Sequence, residues 1–453
     1  MRESARYAWW LVIFLFALTI FANMAVFLKL FTQGSGGSLR ENNDSLAINF
    51  TVRYALVVHQ FAPTVPVATL LSSLDEQNSW EVQVSSAVVR AYFGLEGATK
   101  LLSQAEALPS QLLSPAQRRW YTELWHKTLA EPITAEAIPT RLQLLQPTTS
   151  PLVLRLTEAI LWQKAGDKAR AEQIQNELLA SSLPRMLLFG LLLGLVGLAF
   201  FGGVVFVPMF LLFVKRGTWK APSQLLERAS PFALDPLLWG IVIFMLLILN
   251  LGYLVSTLEG LGIPDAGAIG YLIAVAVPLW FLVAMQNQSG EWSQLRWFRK
   301  ALWRDVGASL FGYSAYLPFL FTALLIAISI SGALPAEQTN PIGERFEQTP
   351  TLGYFVWTFI QAAVLAPIIE EFLFRGVLFG VLWQRTGNLW LSAFVSGYLF
   401  AVIHPQFLGG IIALTIFGMI MALTYAYTRS LLPCILMHAY NNGILTLFLL
   451  AFS

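Results

Sequence analysis

The chain has 453 residues, 56% of them hydrophobic and only 12% charged, with a mean hydropathy of +0.63. Soluble domains carry about 25% charged residues, so an ordinary water-soluble globule is excluded. The formal net charge of +2 gives a nucleic acid no electrostatic footprint, and a single cysteine, Cys434, excludes an internal disulfide framework.

A membrane-spanning helix needs roughly 20 mostly apolar residues. The first such run, from about Tyr7 to Leu28, follows Arg2 and Arg6. It is longer than the roughly 7–15 apolar residues of a signal peptide, and no small-x-small cleavage site follows, so an uncleaved signal-anchor helix is expected. From Gln33 to Pro184 the sequence turns polar and proline-punctuated. Helical periodicity over Leu152–Leu179, interrupted by Ala165-Gly166-Asp167, resembles a degenerate tetratricopeptide-like hairpin, without a second copy at a period of about 34 residues. A soluble, mainly helical domain is expected there, able to recruit a protein partner. His59 and His126 lie in it without a cysteine or carboxylate at metal spacing and read as ordinary histidines. Cys434, in an apolar run, reads as a small core residue.

Apolar runs resume at about Met186–Val214, Pro236–Val255, Ala268–Met285, Val306–Ile330, Tyr354–Leu382, Leu389–Ile403, Leu408–Tyr427 and Leu431–Phe452, for about nine spans in all. Two loops are basic, one with Lys215, Arg216, Lys220 and Arg228, the other with Arg296, Arg299, Lys300 and Arg304. The loops Ser256–Gly267 and Ala333–Thr351 hold Arg345 as their one cation. The positive-inside rule assigns the basic loops to the cytoplasm and leaves residues 33–184 extracytoplasmic, with Lys29 mildly against. The expectation is an all-α protein of the cell membrane: a polytopic transmembrane helical bundle with an inserted soluble helical domain. Its parts are the anchor (1–32), the soluble domain (33–184), further spans (185–345) and a core (346–453).

Ionisable side chains at membrane depth cost about 2.5–3.5 kcal/mol each on insertion scales. Here they concentrate in the last hundred residues. Ala366-Pro367-Ile368-Ile369-Glu370-Glu371-Phe372-Leu373-Phe374-Arg375 sets two carboxylates and an arginine in an apolar helix. Glu371 and Arg375 are four apart with the acid first, the favourable order for a helical ion pair, while Glu370 points about 100° away. Phe400 precedes His404 by one turn, and His438 shares a helical face with Asn442. Counted from Arg385, Asn388 and Arg429 at about 1.5 Å per residue, Glu370, His404 and His438 lie on the order of 13–24 Å below the cytoplasmic face. These depths are compatible with one shared pocket, expected toward that side. Interhelical hydrogen bonding is the plain alternative, most of all for Glu371.

Amide hydrolysis inside a membrane needs a held water, a base and donors for the oxyanion. A desolvated glutamate can act as that base, and histidine and asparagine can supply the donors. No His-Glu-x-x-His helix is present and no serine or cysteine adjoins the histidines, so water activation is favoured over a covalent intermediate.

The three segments, Glu-Glu-x-x-x-Arg, Phe-x-x-x-His and His-x-x-x-Asn, resemble the signature of the CPBP family, the CAAX prenyl endopeptidase and Abi membrane proteases, over about Leu352–Ser453. The resemblance implies an intramembrane endopeptidase acting on membrane-associated peptides or proteins. In it Glu370 activates water with His404, His438 and Asn442 stabilise the oxyanion, and Glu371 and Arg375 organise the pocket. Members are often named metalloproteases. Glu370, His404 and His438 are the candidate ligands for Zn²⁺ or another divalent metal, and a metal-independent glutamate mechanism uses the same residues. The alternative of a different class is a catalytically silent adaptor, immunity or scaffold protein built on the same fold.

Overall fold

The computed structural model describes residues 38–75, 77–110, 113–216, 250–261, 301–331, 352–402, 404 and 408–452, with isolated positions 11, 239, 242, 243, 246, 247, 269, 270, 273, 277 and 280. Among the described residues it is all helix, without strands. The expected anchor Tyr7–Leu28, most of the spans Pro236–Val255 and Ala268–Met285, and most of the basic and charge-poor loop residues lie outside them. The described residues divide into two units, one holding residues 38–194 and 447–452, the other residues 195–331 and 352–446.

The polar unit contains α1 (Ser38–Phe61), α2 (Val67–Asp75), α3 (Trp80–Tyr92), α4 (Ala98–Ala105), α5 (Pro115–Ala130), α6 (Ile138–Leu145), α7 (Pro151–Lys164) and the first part of α8 (Lys168–Lys215). Local signals set several boundaries. Ser114 and Gln117 form a reciprocal capping box with Pro115 at the first helical position, and Ser150 caps α7 ahead of Pro151. Gly166, at φ +89°, turns the chain out of α7, and Asp167 Oδ1 then accepts the Arg170 amide at 3.0 Å to open α8. The core is apolar, with Trp80 and Trp125 fully buried, and Trp80 Nε1 donates to Thr122 Oγ1 at 2.9 Å. His59 packs against Phe93, and His126 Nε2 lies 3.5 Å from Ser103 Oγ at the surface. Pro184 lies inside α8, which carries the apolar run expected at 186–214.

In the apolar unit are the rest of α8, α9 (Leu251–Gly260) and α10 (Leu302–Ser331). Next comes a helical rod: α11 (Leu352–Ile360), a π-helical segment (Gln361–Leu365), α12 (Ala366–Glu371), a second π segment (Phe372–Phe379) and α13 (Gly380–Thr386). Two apolar helices, α14 (Leu389–Val402) and α15 (Leu408–Thr428), precede α16 (Leu432–Phe452). Among the described residues Lys168–Phe213, Leu302–Ile326 and Gly410–Thr428 are long and apolar enough to cross a membrane, and Leu389–Val402 is a shorter apolar helix. This is an all-α membrane protein. Helices α14 and α15 meet through glycines. A Cβ on Gly397 would stand 2.5 Å from the Thr415 carbonyl, and one on Gly418 would stand 2.5 Å from Gly397 Cα. Bare glycine is what allows this close backbone approach. Cys434 is fully buried, with Sγ 3.2 Å from the Met421 carbonyl.

Candidate active site

Glu370 and Glu371 occupy the short α12 between two π segments, a frequent setting for functional residues. The first segment has a local cause. Pro367 has no N–H and its ring crowds the carbonyl one turn back, so an unmodified α-helix is penalised there. In the π register the Ala366 amide donates to Gln361. The next donor in that register would be residue 367, which is proline, so the Ala362 carbonyl is orphaned. Asn442 Nδ2 fills the gap from α16, donating to Ala362 O at 2.8 Å. A buried carbonyl left unmet would cost about 1–3 kcal/mol.

The adjacent carboxylates face different partners. Glu371 Oε1 accepts from Arg375 Nη1 at 2.8 Å and pairs with His438 Nδ1 at 2.9 Å, and both Glu371 and Arg375 are fully buried. The Arg375 guanidinium also sits 4.4 Å from the centre of the Phe400 ring, a cation–π contact. Phe400 in turn meets the His404 ring at 4.8 Å and the His438 ring edge-on at 5.5 Å. One aromatic residue thereby spaces three of the expected site residues. Gly418 leaves room on the other side, since a Cβ there would lie 3.2 Å from Arg375 Nη2.

Glu370 turns toward the histidines. Its Oε2 is 3.5 Å from His404 Nε2 and 4.0 Å from His438 Nε2, and accepts no protein hydrogen bond. The tautomers follow from the partners. His404 Nδ1 lies 2.8 Å from the Phe400 carbonyl, which can only accept, so Nδ1 carries the proton. The same reasoning puts a proton on His438 Nδ1 facing Glu371. In the neutral rings both Nε2 atoms are bare lone pairs turned toward the Glu370 carboxylate. Three acceptors around one small space call for a shared proton, a donor such as water, or a cation.

The structure thus brings Glu370, Glu371, Arg375, His404 and His438 into one cluster, and ties Asn442 to the helix that bears the glutamates through Ala362. Glu370, His404 and His438 have the donor chemistry for a divalent ion. As placed, no three His, Cys, Asp or Glu side chains among the described residues form a metal-binding set. Sequence reasoning missed the Pro367–Ala362–Asn442 link, the Arg375–Phe400 stack, the glycine crossing, and the bond from Ser396 Oγ to the Phe374 carbonyl at 3.2 Å. Pro367 inside an apolar run was the one visible signal among these.

Residues 352–444 match the type II CAAX prenyl endopeptidase Rce1-like family model. The chain is 26% identical over 155 residues to the membrane-embedded CAAX protease MroQ of Staphylococcus aureus, covering 31% of this chain and 56% of that one. It is 27% identical over 107 residues to YdiL of Bacillus subtilis, whose name marks it as a proposed membrane peptidase, covering 24% and 41%. It is 30% identical over 109 residues to an uncharacterized 24.3 kDa protein of Escherichia coli, covering 23% and 49%. The chain therefore spans about half the length of the curated relatives it matches. No solved structure is significantly similar to it. The match and the polar cluster fall on the same residues, and the Rce1-like match over residues 352–444 supports a CPBP family assignment.

Proposed function

We propose that the chain is an intramembrane endopeptidase that hydrolyses peptide bonds of membrane-associated substrates with a water activated by Glu370 and His404. The observation that carries this reading is the unbonded Glu370 Oε2 facing two imidazole Nε2 atoms at 3.5 and 4.0 Å, while Glu371 beside it is engaged by Arg375 and His438. Two adjacent carboxylates in different surroundings take different roles.

A water held between Glu370 and His404 gives its proton to Glu370 as its oxygen attacks the peptide carbonyl carbon. The carbonyl π bond breaks and an oxyanion forms. Asn442 has a second amide N–H beyond the one given to Ala362 and can donate it to that oxyanion. His438 donates from Nε2 once that nitrogen also carries a proton, with Glu371 as the counter-charge at Nδ1. On collapse the carbonyl re-forms, the C–N bond breaks, Glu370 returns its proton to the leaving amine, and a carboxylic acid and an amine form, the acid then passing its proton to the amine so that a carboxylate and an ammonium depart. Arg375 neutralises Glu371 and holds it against His438, which leaves Glu370 as the base.

The polar unit offers a surface for a substrate or partner protein, and residues 33–184 are assigned to the extracytoplasmic side on the charge distribution of the sequence. The test is cleavage of a candidate membrane peptide by the purified chain and by Glu370→Gln. Loss of cleavage in the variant supports the assignment, and unchanged cleavage overturns the base. No cleavage by the native chain across prenylated and unprenylated membrane peptides favours the silent adaptor. Chelator treatment with Zn²⁺ add-back separates the two mechanisms. A loss reversed by the metal would reassign Glu370, His404 and His438 as ligands.

A further inference from the structure

Away from the Glu370 cluster, the apolar unit holds a cavity of about 930 Å³ bounded by α8, α10, α14 and α15. Its walls are apolar along most of their length, from Phe311 and Phe319 on α10 to Ile416, Ile420 and Leu423 on α15. At one end the character changes. Trp303, Arg304, Tyr427 and Thr428 lie there, and Ser430 just beyond donates to Asp305 at 2.8 Å, tying that end of α10 to the end of α15. Among the described residues Arg304 is the only charged one lining the cavity, and no carboxylate does. Among the described residues its guanidinium has no ion pair; it rests 5.2 Å from the Trp303 ring centre, and both side chains are exposed. The cavity is separate from the candidate active site. Phe417 and Gly418, which face His438 and Arg375, lie on a different face of α15 from Ile416, Ile420 and Leu423.

From this layout we infer that the cavity binds one anionic glycerophospholipid, with its phosphate at Arg304 and an acyl chain along α10 toward Phe319. From Arg304 to Phe319 is 15 residues, about 22 Å at 1.5 Å per residue, against a hydrocarbon core about 30 Å thick. The apolar slot therefore runs well into a bilayer from an end marked by tryptophan, tyrosine and arginine, the residue types enriched at the membrane interface. An exposed cation on a wall without a carboxylate, the adjacent Asp305 being buried and held by Ser430, selects a negatively charged head, and basic pockets between membrane helices are a known way to hold one. A peptide substrate needs access to Glu370, which the wall of α15 denies to an occupant of this slot.

Gly307 supplies the test. A Cβ there meets nothing within 4 Å, so Gly307→Leu extends into the open slot without a clash and improves helix propensity. The full chain is purified in detergent, exchanged with phosphatidylglycerol or phosphatidylcholine of matched acyl chains, and its retained lipid is measured by native mass spectrometry. The native chain is expected to retain phosphatidylglycerol at least 5-fold over phosphatidylcholine, on the order of one kcal/mol. Arg304→Gln should bring that ratio near one, and Gly307→Leu should reduce retention of both lipids. A phosphatidylglycerol carrying a photoreactive group in its acyl chain should cross-link within residues 307–319 or 416–427 of the native chain. Equal retention of both lipids by the native chain overturns the proposal, as does retention unaffected by Gly307→Leu or cross-links that fall elsewhere. Because the readout is bound lipid and not cleavage, this inference fails or stands apart from the peptidase reading.

Discussion

Glu370 and Glu371 are neighbours in sequence with opposite situations, and two substitutions separate them. Glu370→Gln keeps the shape and removes the base, so cleavage should fall by about 10²–10⁴-fold, the usual worth of general base catalysis. Thermal stability should change little, because Glu370 Oε2 accepts no protein hydrogen bond. Glu371→Gln instead leaves a fully buried Arg375 without its anionic partner and weakens the hold on His438. Breaking one side of a buried pair costs about 3–5 kcal/mol, so a clear loss of thermal stability in detergent is expected along with lost activity. Equal stability losses in both variants would refute this division of roles. The Glu371–Arg375 pairing was legible from spacing alone, because residues four apart share a helical face. That His438 joins the same carboxylate was not legible, since it lies 67 residues away.

Among the elements, the first π segment and α16 are joined by one side-chain bond, and a double substitution reports on it. Asn442→Ala removes the donor to the Ala362 carbonyl, and a stability loss of about 1–3 kcal/mol is expected from the orphaned acceptor. Pro367→Ala restores a backbone N–H at the position that serves that carbonyl in the π register. The pair Pro367→Ala with Asn442→Ala should therefore recover stability that Asn442→Ala alone loses, as read by the melting temperature in detergent. Additive losses would show that Asn442 acts elsewhere. The crossing of α14 and α15 makes a second case. Gly397→Ala drives a methyl group into the Thr415 carbonyl and the Met419 amide, at 2.5 and 2.8 Å in the present geometry. Overpacking of that kind costs about 1–3 kcal/mol, and the same melting assay measures it. Apolar length and periodicity foretold α14, α15 and α16 closely. They could not foretell the π segments, because a register change is settled by which carbonyls find donors on another helix.

For the whole molecule, the orientation drawn from loop charge can be checked with a single thiol. Cys434 is the only cysteine and is fully buried, so it gives little background labelling. Glu123→Cys, on an exposed part of α5, should react with a membrane-impermeant maleimide added to intact cells. Protection of that thiol until the cells are lysed would reverse the assigned topology. By itself the sequence determined that the protein is an all-α membrane protein with a polar helical segment, and that its unusual residues gather at 370–375, 404 and 438–442. Hydrophobic burial and the cost of charge in an apolar medium act on composition and spacing, both of which are written along the chain. Only the tertiary structure decided that His438 joins the Glu371–Arg375 pair while Glu370 faces His404, that Asn442 completes the helix broken by Pro367, and that Phe400 spaces the cluster. These depend on close approach between helices distant in sequence, and two facing glycines set that approach in a way no periodicity records.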